Sequence, residues 1–256
     1  MKTQIIQTKR LLALIAGLGL VVCGTNIASA QLLNGNLDVT YQQEIVPLFF
    51  LPKPASWINE GSRTITGPYE DEMSSEPWSG PAPTPVTTDG IGADDWGVFF
   101  KPFSGNLTTG DLATGRLYQD VFATPGLNYQ LTGWAGAEAN YSGLIPLSVT
   151  KSEFRLTFFD AGSIQLAGAT LDLVAAGLGV ANGQPFNYKQ FSLSAIAPAG
   201  TATVRAEVAM IDAYGNPAGG GQAFVVDDFV LSVPEPTTLT LVGLGLAGLV
   251  GFRRRS

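Results

Sequence analysis

The chain predicts an all-β protein, an antiparallel β-sandwich or jelly roll, and three observations predict it. No segment between Gln31 and Val233 keeps a helical apolar period over a helix-sized length. Short runs of alternating apolar and polar residues take its place, as in half-buried strands. Clusters of Gly, Pro, Asn and Asp separate these runs and supply the turns that join antiparallel neighbours.

The elements follow in chain order. Tyr129 and Leu131 form one inward pair, and Phe154, Leu156 and Phe158 share a face of the next run. Phe191 and Leu193 form a further pair. In Ala202–Val208, Val204, Ala206 and Val208 point inward and Arg205 and Glu207 go to water. Turns are expected at Thr124-Pro125-Gly126, Asp160-Ala161-Gly162, Ala197-Pro198-Ala199-Gly200 and Tyr214-Gly215-Asn216-Pro217. Residues 47–95 stand apart as a proline-rich insertion or system of long loops. They hold the acids Glu70, Asp71 and Glu72 together with Trp57 and Trp78. One domain over residues 31–233 suffices for a sizeable core.

Both ends carry addresses. Lys2, Lys9 and Arg10 precede an apolar run from Leu11 to Val22, and Ala28-Ser29-Ala30 offers a signal peptidase site, so residues 1–30 form a signal peptide. Cys23 follows Val22 rather than a small residue, which argues against lipidation, and it leaves with the signal. Residues 234–256 run Pro234-Glu235-Pro236, an apolar stretch from Leu239 to Phe252, then Arg253-Arg254-Arg255. Fourteen helical residues span only about 21 Å of a hydrocarbon core of about 30 Å. Flanking threonines and snorkelling arginines let a hydrophobic helix over 237–252 anchor transiently in the inner membrane, its basic end in the cytoplasm. This tripartite tail resembles the PEP-CTERM sorting signal of bacterial surface proteins. The resemblance implies recognition and cleavage by an exosortase, and a protein at the cell surface or outside the cell.

Composition closes off several functions. Six of the fourteen basic residues lie in the two ends. All twenty-one acids lie outside them if Glu235 is retained, so the formal charge moves from −7 to −13. Such a field repels nucleic acid and anionic lipid. The chain has no histidine and its single cysteine is in the signal peptide. Ser-His-Asp and Cys-His catalysis and His-ligated zinc are therefore absent. Carboxylate pairs remain, which is the chemistry of glycoside cleavage.

A second resemblance rests on the order of several short motifs. Leu32-Leu33-Asn34-Gly35-Asn36-Leu37-Asp38 opens the domain and Ala223–Leu231, with Val226-Asp227-Asp228, closes it. Leu117–Val121, Pro125–Leu131 and Ala197–Thr201 lie between in matching order. The set is similar to the galactose-binding-like jelly rolls, above all carbohydrate-binding modules, with Leu37 replacing an aromatic and Asp38 a glutamate. In those modules a structural calcium often bridges the two terminal strands. Parity supplies a physical argument beside it: if Phe229 and Leu231 point inward along one strand, so does Asp227. An inward carboxylate needs a partner or a metal, and Asp38 with the Asn34 region offers oxygen ligands to calcium; capping of backbone amides at a strand end is the alternative.

Alternation also places Gln130, Thr132, Trp134, Gly136, Glu138 and Asn140 on an outward face. A tryptophan beside hydrogen-bonding groups suits a pyranose, and Gln130, Trp134, Glu138 and Asn140 are the candidate sugar contacts. Tyr141, Trp57, Trp78 and Trp96 are candidates to complete a cleft. The alternative is that the insertion folds over Trp134 as a second small core. The expected function is a non-catalytic exported protein associated with exopolysaccharide, a carbohydrate-binding module. A structural or adhesive matrix protein is the second reading. The third is a glycan-cleaving enzyme using Glu138 with Asp94 or Asp95.

Overall fold

The computed structural model describes residues 31–63, 73–77, 96–102, 111–179 and 188–233. Twelve strands form among them: β1 (Thr40–Val46), β2 (Phe49–Pro54), β3 (Ile58–Arg63), β4 (Met73–Pro77), β5 (Trp96–Phe100), β6 (Ala113–Phe122), β7 (Asn128–Ala137), β8 (Lys151–Phe159), β9 (Gln165–Asp172), β10 (Lys189–Ile196), β11 (Thr203–Ala213) and β12 (Phe224–Ser232). Two five-stranded antiparallel sheets, in the orders β3-β6-β11-β8-β9 and β10-β7-β12-β5-β4, pack face to face as a sandwich. The pair β1–β2 forms a separate ribbon.

The alternating runs form the facing surfaces. Phe154, Leu156 and Phe158 of β8 and Val204, Ala206 and Val208 of β11 are buried against Tyr129 and Leu131 of β7 and Phe224, Val226, Phe229 and Leu231 of β12. Aromatic rings fill the middle layer, with Phe154 set edge-on to Phe229 at 5.3 Å and to Phe191 at 6.3 Å. Gly133 of β7 makes room there: a Cβ on it would come within 2.6 Å of the Phe229 ring.

Residues 47–95 are not only loops. The expected insertion contributes β2 to the ribbon, β3 as an edge of one sheet and β4 as an edge of the other. Proline hid β2 and β4, because a central strand cannot lose a donor. Strand β3 has no proline, but it lacks the apolar alternation of a half-buried strand. Pro52 and Pro54 sit in a two-stranded ribbon and Pro77 ends an edge strand, where that loss is tolerated. Trp57 is buried in the main core at 5.4 Å from the Phe229 ring and donates its indole N–H to the Asn34 carbonyl at 2.9 Å. It lines no outer cleft. The signal peptide, Trp78, Asp94, Asp95 and the C-terminal helix lie outside the described residues.

The segment around Gly35 docks on β12 beyond the first residue of β5. Strand β5 pairs with β12 only from Phe224 to Val226, and beyond it the Phe229 amide donates to the Gly35 carbonyl at 2.6 Å. A Cβ at Gly35 would lie 2.2 Å from the Phe229 carbonyl oxygen, so only glycine permits this approach.

Candidate functional site

The expected parity of the last strand fails at one residue. Register shifts between Asp227 and Val230, and Asp228 adopts φ +50°, a left-handed conformation that inserts a bulge. Asp227 therefore lies opposite Trp134 and shares the outer face with Val225, not the inner face of Phe229 and Leu231. It is nonetheless buried, and its Oδ1 accepts the Asp228 amide at 2.7 Å, which steadies the bulge.

The opening segment comes to the same end of β5. Asp38 Oδ1 accepts the Trp96 amide at 2.9 Å, and its Oδ2 accepts the Asn36 side-chain amide. Trp96 opens β5, whose register places it beside the bulge of β12. Asn34 is committed elsewhere: its amide donates to the Val39 and Ala55 carbonyls at 2.9 Å each, and its oxygen accepts the Val39 amide at 3.0 Å. Asp38 is thus tied to the start of β5 and Asp227 to the bulge of β12, while Asn34 is a backbone clamp. Among the described residues no group of three or more acids is placed to hold a metal ion.

The outer face of β7 and β10 carries the sugar candidates. Gln130, Thr132 and Trp134 alternate outward along β7, each partly exposed. Across the ladder Gln190 stands opposite Trp134, Ser192 opposite Thr132 and Ser194 opposite Gln130, all three exposed. The Gln130 amide donates to the Ser192 hydroxyl at 2.8 Å. These three β10 residues were not singled out in the sequence, although the inward pair Phe191 and Leu193 forces their outward parity. The strip holds one aromatic and five neutral hydrogen-bonding side chains. Among the described residues no ring packs on Trp134 and no acceptor takes its indole N–H.

A step bounds the strip. Phe99, Ala223 and Val225 form a small second core on the same face, with Tyr188 packed against it. This cluster lies one rung beyond Trp134, at Gly136, and none of its residues belongs to 47–95, so it is not the insertion folding over the indole.

Glu138 and Asn140 serve the wall rather than the strip. Glu138 Oε2 accepts the Ala223 amide at 2.7 Å. Asn140 donates through its side chain to the Gly219 carbonyl at 2.7 Å, and its carbonyl accepts the Asn216 side chain at 3.0 Å. Together they fasten the loop between β11 and β12. Tyr141 is buried, with its hydroxyl paired to Ser152 at 2.7 Å, and burial pushes its pKa up. It cannot line a cleft. The carboxylate that Glu138 influences within the described residues is Glu76, whose carboxyl is held above the usual range by burial. Lys101 pulls it back down and Glu138 pushes it up.

The opposite outer face is built differently. Arg116 of β6 grips Glu207 of β11 through two hydrogen bonds at 2.9 and 2.8 Å, and Arg155 of β8 adds a third at 3.0 Å. Glu207 was expected in water, but the two guanidiniums cover it and leave its side chain 1% exposed. Next to it Arg205 pairs with Asp120 at 2.7 and 2.8 Å and lies 3.7 Å over the Tyr118 ring. The Asp120 hydrogen bonds raise the Arg205 pKa, and burial raises that of Tyr118, whose hydroxyl donates to Glu60.

Comparison with known proteins decides the end of the chain first. The model for the PEP-CTERM protein-sorting motif matches residues 232–255. The chain carries a PEP-CTERM sorting motif. This motif implies an exported protein, and it begins at the last residue of β12. No curated protein matches the chain in sequence. Among solved structures the chain is similar to the enzymatically active domain of tailspike protein 4 of bacteriophage CBA120, at 12% identity and a TM-score of 0.43, covering 70% of this chain and 19% of that one. It is similar to TmCBM61, solved with beta-1,4-galactotriose, at 13% identity and a TM-score of 0.38, covering 70% and 89%. The K1 cleaved adhesin domain of Lys-gingipain from Porphyromonas gingivalis W83 follows at 15% identity and a TM-score of 0.35, covering 77% and 99%. The chain thus spans about a fifth of the tailspike structure. Among the described residues no helix is long and apolar enough to cross a membrane.

Proposed function

We propose that this is a non-catalytic surface protein that holds a neutral polysaccharide across the outer face of β7 and β10. One observation carries the reading: Trp134 stands partly exposed on that face, with the neutral Thr132 beside it on β7, the neutral Gln190 across from it on β10 and the buried Asp227 across from it on β12. A pyranose stacks its apolar face on such a ring and pairs its hydroxyls with amides and hydroxyls alongside. The chain's acidity selects against acidic polymers, because like charges repel at the approach. Glu138 and Asn140 position the wall beside the ring, and Gln130 extends the strip. Affinity electrophoresis against neutral and acidic polysaccharides tests this: retardation by a neutral polymer supports it. If no polymer retards the protein, the matrix-protein reading takes its place. Release of reducing ends from the same polymers would instead support a glycan-cleaving enzyme built on Glu138.

Export completes the proposal. Signal peptidase removes residues 1–30, and an exosortase removes the chain beyond the Pro234–Pro236 region, releasing the sandwich toward the exopolysaccharide outside. Intact mass of surface material still carrying Arg253, Arg254 and Arg255 would contradict it. Calcium at Asp38 and Asp227 is part of the same proposal, since an ion bound only by the folded state stabilises it. A melting temperature that falls with chelator and recovers with calcium supports the ion. An unchanged curve removes it.

A further inference from the structure

We propose that the end of the sandwich from which β12 emerges rests on the lipid surface while the C-terminal segment is still in the membrane. Antiparallel register gathers one set of termini at that end: the last residues of β6, β8, β10 and β12 and the first of β7, β9 and β11. Exposed apolar side chains gather with them. Phe122 is 90% exposed, Ile196 68% and Ile164 64%, with Val230 and Leu166 exposed beside them.

Charge is nearly missing there. The three connecting turns, residues 123–127, 160–164 and 197–202, contain a single ionisable side chain, Asp160. Its carboxylate faces its own turn, accepting the amides of Gly162 at 2.8 Å and Ile164 at 2.9 Å. The far end holds Glu138, Lys151, Asp172, Lys189 and Asp212. A strongly acidic chain has therefore left this end largely apolar, with Asp160 turned onto its own backbone and Glu235 in the tether as its acids. It can approach zwitterionic lipid with little charge to desolvate.

Chain length fixes what covers this surface. Only Val233 to Thr238 separate Ser232, still paired with Gln130, from the apolar stretch that begins at Leu239. Six extended residues reach about 20 Å at most. The headgroup layer takes up roughly 5–8 Å of that distance. The sandwich is thus tethered within a short reach of the headgroups by the very end that carries Phe122 and Ile196. Aromatic and branched side chains at that depth favour the interface. The occupant is the zwitterionic lipid surface around the tether. Standing on this end, the domain keeps the Pro234–Pro236 region at the membrane, and the β7–β10 face looks sideways into the surrounding polymer.

The test uses the full chain reconstituted in phosphatidylcholine vesicles with and without brominated acyl chains, which quench tryptophan at the interface. Phe122→Trp adds a reporter at the proposed contact and Leu147→Trp adds one at the far end, where Leu147 is fully exposed. Both sites are surface positions, so neither change disturbs the core, and the four native tryptophans set the baseline. The proposal predicts that emission added at position 122 loses most of its intensity in brominated vesicles, while emission added at 147 is unaffected. Equal quenching at both positions, or none at 122, overturns it. Neither readout depends on polysaccharide, so the result stands apart from the Trp134 proposal.

Discussion

The two outer faces of the sandwich handle polar groups in opposite ways. On the β6-β11-β8 face, Glu207 satisfies Arg116 and Arg155, Arg205 satisfies Asp120, and Tyr118 lies under a guanidinium. Its strongest hydrogen-bonding groups already have charged partners, and charge-assisted pairs are hard for a neutral ligand to displace. On the β7-β10 face, Gln130, Thr132, Gln190, Ser192 and Ser194 are neutral and partly or fully exposed around one indole, and the pairing among them, Gln130 with Ser192, is between neutral groups. Hydroxyls exchange readily for water at such groups. A surface rich in polar residues is therefore not by itself a binding surface; what matters is whether its polar groups are already committed.

The largest expected effect lies on the closed face. Glu207→Ala leaves Arg116 and Arg155 without their shared carboxylate and should cost about 2–3 kcal/mol. That is below the 3–5 of a fully buried pair, because both guanidiniums keep some water. Chemical denaturation measures it, and retardation by polysaccharide should be unchanged in the folded variant. A variant that stays as stable as the parent breaks the contrast between the faces.

Gln190→Ala probes the open face at its edge. Losing one hydrogen bond to a sugar hydroxyl should weaken binding about 3–10-fold, the equivalent of roughly 0.5–1.5 kcal/mol. Stability should not change, because Gln190 is exposed. Loss of stability without loss of binding would return this strip to a structural role.

The smallest effect concerns pH. Burial holds the folded Glu76 carboxyl above its unfolded range, so the unfolded chain gives up its proton first as pH rises. Between the unfolded and the raised folded pKa the native state binds more protons, and stability falls with rising pH. Glu76→Gln should remove this decline and raise the melting temperature slightly near neutral pH, as thermal melts across pH 4–7 would show. A variant with the parent's slope would mean that Glu76 ionises freely.

Much of the sandwich was legible because alternation and burial coincide. Phe154, Leu156, Phe158, Val204, Ala206 and Val208 all point inward as their spacing predicts. Three things were hidden, each for a physical reason. Strands β2 and β4 were hidden by prolines that a ribbon and an edge tolerate, and β3 by its lack of apolar alternation. Asp227 was misplaced because parity counting assumes an unbroken ladder, and a bulge at Asp228 depends on a backbone angle that no spacing records. Glu207 was expected in water because its two arginines come from strands 91 and 52 residues away. At the candidate site Trp134 was legible from its strand alone. Its partners Gln190, Ser192 and Ser194 needed the pairing of β7 with β10, which is a tertiary fact.

The central claim is that Trp134 is a ligand platform and not a core residue. Trp134→Ala, followed on one sample by thermal melting and by affinity electrophoresis in a neutral polysaccharide that retards the parent, tests it most directly. The account predicts that retardation is lost while stability falls by less than about 2 kcal/mol, since the ring is already partly in water. A loss of roughly 3–5 kcal/mol with retardation intact would contradict it, because that is how a buried tryptophan behaves.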